Sequence, residues 1–191
     1  MIQMGVVGFA FAKLGIPPSL GLFLFFLSLA GSGINIPIYE REVEEEIPVL
    51  SLFGFRLAGI RKQIIAVNLG GAIIPVLLSL YLLMRVPLPI FLIALGINAL
   101  IAYAFSRPVK GMGVVLPAFI PPIVSALVSL FLLPENPAPL AYASGTLGVL
   151  LGADILHLPD LERMGSGVLS IGGAGVFDGI FLVGIIAVLL L

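Results

Sequence analysis

The sequence has no cysteine and no tryptophan, one histidine, and charge on only 10% of its 191 residues. Each shortage removes a class of function. Without cysteine there is no disulfide scaffold, no thiol nucleophile and no thiolate metal site. One histidine excludes a multi-histidine metal centre, and neither a metal nor another cofactor is expected. Nine lysines and arginines against ten acids give a net charge of −1, so no basic surface suits a nucleic acid. What is present is apolar: 60% hydrophobic residues and a mean hydropathy of +1.25. A soluble domain of this size could not bury that much apolar surface, so the lipid bilayer is its expected solvent.

A spanning helix needs about 20 apolar residues. Six runs qualify: Pro17 to Pro37, Gln63 to Arg85, Leu88 to Phe105, Gly111 to Leu133, Pro139 to Leu158 and Val168 to Leu191. The expected fold is therefore an all-α polytopic membrane protein, residues 1–191 forming one transmembrane domain of six helices. Met1 to Leu14 is too short to span; Gly15 and Pro17-Pro18 should end it as a short N-terminal helix. No basic stretch precedes it, so a cleaved signal peptide is not expected. Arg41, Arg56, Arg61, Lys62, Arg107, Lys110 and Arg163 fall in the connections after the first, third and fifth runs, and only Lys13 and Arg85 on the other side. The positive-inside rule places the first group in the cytoplasm. The long connection 38–62 holds Glu40, Glu42, Glu44, Glu45 and Glu46. Its alternating Ile36 to Val43 predicts a cytoplasmic acidic β-hairpin, with a solvated loop as the alternative.

Two runs should not be plain helices. Pro117, Pro121 and Pro122 interrupt the fourth, whose helix should begin near Pro121. The sixth opens on Gly165, Gly167, Gly172, Gly173 and Gly175; an extended re-entrant segment followed by a helix from about Gly175 is expected. Ser144, Gly148 and Gly152 recur every four residues and should form a packing stripe. Asn98 should bond between helices. The triplet Gly-Gly-Ala occurs at residues 70–72 and again at 172–174.

Two acids lie inside apolar runs. Asp178 is in the sixth; Asp154 is about a turn from the end of the fifth, where His157 at i+3 could bond it. An acid at mid-span costs about 2.5–3.5 kcal/mol on insertion scales and marks a functional hypothesis. If the glycine segment re-enters, Asp178 falls in the first helical turn and the two depths can agree. Two carboxylates sharing a proton can activate water, one as base and one as acid. Asp154, Gly175-Val176-Phe177-Asp178 and Pro117-Ala118-Phe119 resemble the elements of presenilin and signal-peptide-peptidase intramembrane aspartyl peptidases. That resemblance implies a catalytic pair, Asp154 and Asp178, acting on a transmembrane peptide. The departures are a lost glycine before Asp178, alanine before Asp154, and a proline motif that precedes the acids.

Asn35, Asn68, Pro117, Gly172, Gly173, Gly175 and Gly179 are the candidate substrate- or ion-binding residues. They equally suit an ion- or proton-coupled transporter centred on Asp178, in which a cation is bound. Six spans are few for a transporter, so that reading expects an oligomer. A third reading is a non-catalytic membrane scaffold, its acids bonding between elements and its acidic hairpin docking a partner. The segments Ile65 to Pro75 and Ile171 to Leu182 also resemble a prokaryotic family of polytopic membrane proteins known as domain of unknown function 1614. That resemblance implies the cytoplasmic (inner) membrane of an archaeon or bacterium and supplies no activity.

Overall fold

A computed structural model describes residues 2–50, 55–109, 113–163 and 165–191. The chain is mostly helical, and each of the six apolar runs holds a helix. Helix α1 (Ile2–Lys13) leads into α2 (Pro18–Gly31). Gly15, at φ +71°, supplies the left-handed turn between them, and the two axes meet at 109°. The hairpin follows as β1 (Asn35–Leu50) and β2 (Phe55–Asn68). A π-helical turn, Leu69–Ile73, continues into α3 (Ile74–Leu83), and α4 is Leu88–Phe105. A small hairpin, β3 (Arg107–Val109) and β4 (Gly113–Val115), precedes α5 (Ile120–Leu132). Helix α6 (Pro137–Val149) runs through a second π-helical stretch, Leu150–Ile155, to α7 (Leu158–Glu162). Strand β5 (Gly167–Ile171) then leads to α8 (Ala174–Leu182), a third π-helical stretch and α9 (Val188–Leu190).

The all-α expectation is corrected. β1, β2 and β5 form a sheet in that order, β1 antiparallel to β2 and β5 parallel to it, with β3 and β4 as a separate pair. The hairpin reaches further than 38–62: pairing starts at Asn35 with Asn68. Four apolar runs therefore give up residues to strands; in the first two, β-branched Ile34-Asn-Ile36 and Ile64-Ile65-Ala66-Val67 suit a pleated sheet better than a helix. Helices long and apolar enough to cross a membrane number two among the described residues, Leu88–Phe105 and Pro137–Leu161, or three if the bent α1–α2 pair is one span. Leu69–Leu83, Ile120–Leu132 and Ala174–Leu190 are shorter apolar helices.

Other expectations agree. α5 has its prolines in its first turn, where the missing N–H has no helical partner to lose. α8 starts at Ala174 after the extended β5. Helix α6 packs against α3, α4 and α5 at the centre of the bundle. The stripe does what its spacing predicts. A Cβ on Gly148 or Gly152 would run into Asn98 and the backbone around Ala99 of α4. Asn98 Nδ2 donates to Ser144 Oγ at 3.3 Å and to the Ala94 carbonyl at 2.9 Å.

Candidate functional site

The candidate residues gather where the sheet meets the bundle. The two Gly-Gly-Ala triplets touch there. A Cβ on Gly71 would collide with the Gly172 carbonyl, and one on Gly172 with the backbone of Gly71 and Ala72. Gly172 also has φ +70°, a conformation that glycine adopts freely. Its N–H donates to Asp154 Oδ2 at 2.7 Å. Asp154 is 4% exposed, in the π-helical stretch beside an apolar cluster of Val149, Leu150, Ala153, Val176 and Ile180. Its carboxylate thus ties the end of the fifth run to the turn entering α8.

Asp154 does not bond His157; the bond it makes is the one from Gly172. The ring of His157 lies tilted against that of Tyr103, 4.6 Å between centroids, and its Nδ1 lies 3.1 Å from the Ala153 carbonyl and 3.2 Å from that of Gly152.

Asp178 is exposed. It is the fifth residue of α8, so it sits beyond the first turn in which it was expected. Val176, Gly179 and Ile180 form the buried face of α8, and Val176 and Ile180 join the cluster beside Asp154. At 3.6 residues per turn Asp178 points roughly 150° from that face. Among the described residues it makes no hydrogen bond or ion pair. The two carboxylates are not hydrogen-bonded to each other; one is sealed in the core and the other looks outward.

A second cluster closes the hairpin base. Asn68 is buried and caps the π-helical turn, its Oδ1 accepting from the Gly71 N–H at 2.7 Å. Its Nδ2 donates to the Ser32 carbonyl at 2.6 Å and to Asn35 Oδ1 at 3.0 Å. Ser170 Oγ donates to the same Asn35 oxygen at 2.5 Å. Asn35, Asn68, Ser170, Gly173 and Gly175 line one cavity of about 220 Å³, with Ser32 and Ala174. Gly173 is the N-cap of α8, and a Cβ on Gly175 would collide with the Val114 carbonyl.

Pro117 and Gly179 do not join them. Pro117 is exposed and its carbonyl accepts from the Ile120 N–H at 3.2 Å, a turn that starts α5. Gly179 faces Pro121 and Leu116, where α8 packs on α5. Sequence reasoning missed Gln63. It is 1% exposed; its Nε2 donates to the Gly165 carbonyl at 2.5 Å, and its Oε1 accepts from Arg41 Nε at 2.6 Å. A glutamine opening an apolar run was the available signal.

The model of a family described as a protein of unknown function (DUF1614) matches residues 29–190, and the chain belongs to that family. No curated protein and no solved structure matches.

Proposed function

We propose that this is an integral membrane protein of non-catalytic kind, a scaffold held by its helical bundle that docks a partner through its β-hairpin. The bilayer supports the bundle's outer surface: Leu92, Ile93 and Leu100 of α4 and Leu127 and Phe131 of α5 are all more than half exposed, a surface too apolar for water. The lysines and arginines of the hairpin and its flanks support a cytoplasmic placement for it, and the family resemblance implies a prokaryotic inner membrane.

One observation carries the non-catalytic reading. The Asp154 carboxylate is buried and engaged by the Gly172 N–H, while Asp178 faces outward. An aspartyl peptidase needs both carboxylates on one water, and this arrangement supports that reading least. The hairpin is exposed and charged: its strand β1 is exposed or half-exposed from Asn35 to Glu44 and carries Glu40, Glu42 and Glu44 there.

The test uses the whole protein in liposomes, with a labelled transmembrane peptide inside the same bilayer. The expected result is no cleavage above protein-free vesicles. Cleavage that disappears in both Asp154→Asn and Asp178→Asn would replace the scaffold with a peptidase. In native membranes, a cross-linker with one thiol-reactive and one amine-reactive end, attached at Glu42→Cys, should trap a discrete product that Leu92→Cys, on the lipid side, does not give.

A second reading, ion binding near Asp178, is favoured by the polar cavity. Ala174 and Gly175, which line it, lie about one turn from Asp178 along α8. Cation flux that is lost in Asp178→Asn and kept in Asp154→Asn would favour it over the scaffold.

A further inference from the structure

The sheet has two open edges, and they carry opposite charge. β1 is the outer strand along its whole length. β2 is covered by β5 only from Gln63 to Val67, so no described strand lies beside its outer edge from Phe55 to Lys62. β1 holds Glu40, Glu42, Glu44, Glu45 and Glu46 against a single Arg41. β2 holds Arg56, Arg61 and Lys62 and no acid. Glu40, Glu42, Glu44, Arg61 and Lys62 are all exposed.

Pairing inside the hairpin leaves much of this charge unused. Glu42 lies opposite Lys62, but Val43 lies opposite Arg61 and Glu44 opposite Ile60. Lys62 pairs with Glu40 at 3.3 Å. Among the described residues Glu42, Glu44 and Arg61 form no ion pair.

An open edge offers a row of unpaired N–H and C=O groups, and charge on it decides what can approach. Uniform charge on both edges would repel a second copy. Here β1 against β1 of a neighbour sets glutamate on glutamate, which is unfavourable, whereas β1 against β2 of a neighbour sets glutamates beside Arg61 and Lys62. Between Pro37 and Pro48, β1 has no proline to interrupt a new ladder.

We infer that the hairpin's partner is a second copy of this chain, the acidic β1 edge of one copy pairing with the basic β2 edge of the next. The inference rests on the docking role given to the hairpin above and names the occupant. The contact is heterologous, since the two surfaces differ, and so it propagates. Copies in one bilayer share an orientation, so the contact repeats about the membrane normal and closes into a ring where its rotation divides a full turn.

The test is a charge-swapped full-length chain: Glu40→Lys, Glu42→Lys and Glu44→Lys together with Arg61→Glu and Lys62→Glu. The swap keeps the Glu40–Lys62 pairing with its signs reversed and keeps the edges complementary to each other. Each chain alone should therefore form oligomers in nanodiscs or mild detergent. Mixed with the unaltered chain, the swapped chain should sort away. Co-purification of two differently tagged chains should fall about tenfold relative to two tagged copies of the unaltered chain, equivalent to about 1.4 kcal/mol.

A second arm changes one exposed side chain per copy. Chains carrying Glu42→Cys and chains carrying Lys62→Cys, mixed with a short bifunctional thiol reagent, should give mainly the mixed product. Oligomers that mix freely, same-site products equal to the mixed one, or a monomer throughout would each overturn the inference. A monomer would leave the hairpin to a different protein. Peptide cleavage in the preceding assay would instead remove the docking role itself.

Discussion

Asp154 and Asp178 stand in similar sequence, each in an apolar run within two residues of a glycine, and the fold uses them differently. Asp154 belongs to a π-helical stretch, is 4% exposed, and holds the Gly172 N–H. Asp178 belongs to a regular α-helix, is exposed, and holds nothing among the described residues. An acid in an apolar run is thus not one kind of object. Where a neighbouring element offers a backbone donor that would otherwise be orphaned, the acid can be a structural tie. Where it faces outward, its role is set by whatever covers it.

Five substitutions break or sharpen this contrast, each read as unfolding free energy in the same detergent. The largest effect is expected at the seat on which the Asp154 tie rests. Gly172→Ala places a Cβ in the backbone of Gly71 at φ +70°, and strain plus collision should cost about 3 kcal/mol or more. Asp154→Ala should cost about 1–3 kcal/mol, the price of a buried N–H left without an acceptor. Asp154→Asn should cost less, because an amide oxygen can still accept that bond. Asn68→Ala, which uncaps the Gly71 N–H, should cost about 1–2 kcal/mol. Asp178→Asn should change stability by less than about 0.5 kcal/mol. A loss at Asp178 as large as that at Asp154 would erase the contrast.

Much of the architecture was legible because its signals are local. The prolines of α5, Gly15 after α1 and the small stripe of α6 each act through the turn they occupy or the helix they touch. The alternation from Ile36 to Val43 found the hairpin. The limits were equally physical. A run such as Gln63 to Arg85 is apolar throughout, so its division at Asn68 into strand and helix is invisible to hydropathy; the tertiary pairing with β1 and β5 decides it. The repeated triplets 70–72 and 172–174 could be seen, but their contact could not, since 102 residues of sequence separate Gly70 from Gly172. At the site, Asn35, Asn68, Gly173 and Gly175, all named from the sequence, line one cavity. The facing direction of Asp178 was not legible, because it depends on which face α8 presents to the bundle. That face is set by Gly175 and Gly179 packing on β4 and α5.

The central claim is that the two aspartates act independently, and a double-mutant cycle between Asp154→Asn and Asp178→Asn measures this directly. Sites without contact or shared partners add within about 0.5 kcal/mol, and that additivity is the predicted result. A carboxylate pair sharing a proton would instead couple strongly, and an interaction energy above about 1 kcal/mol would contradict the account and restore the pair as a single centre.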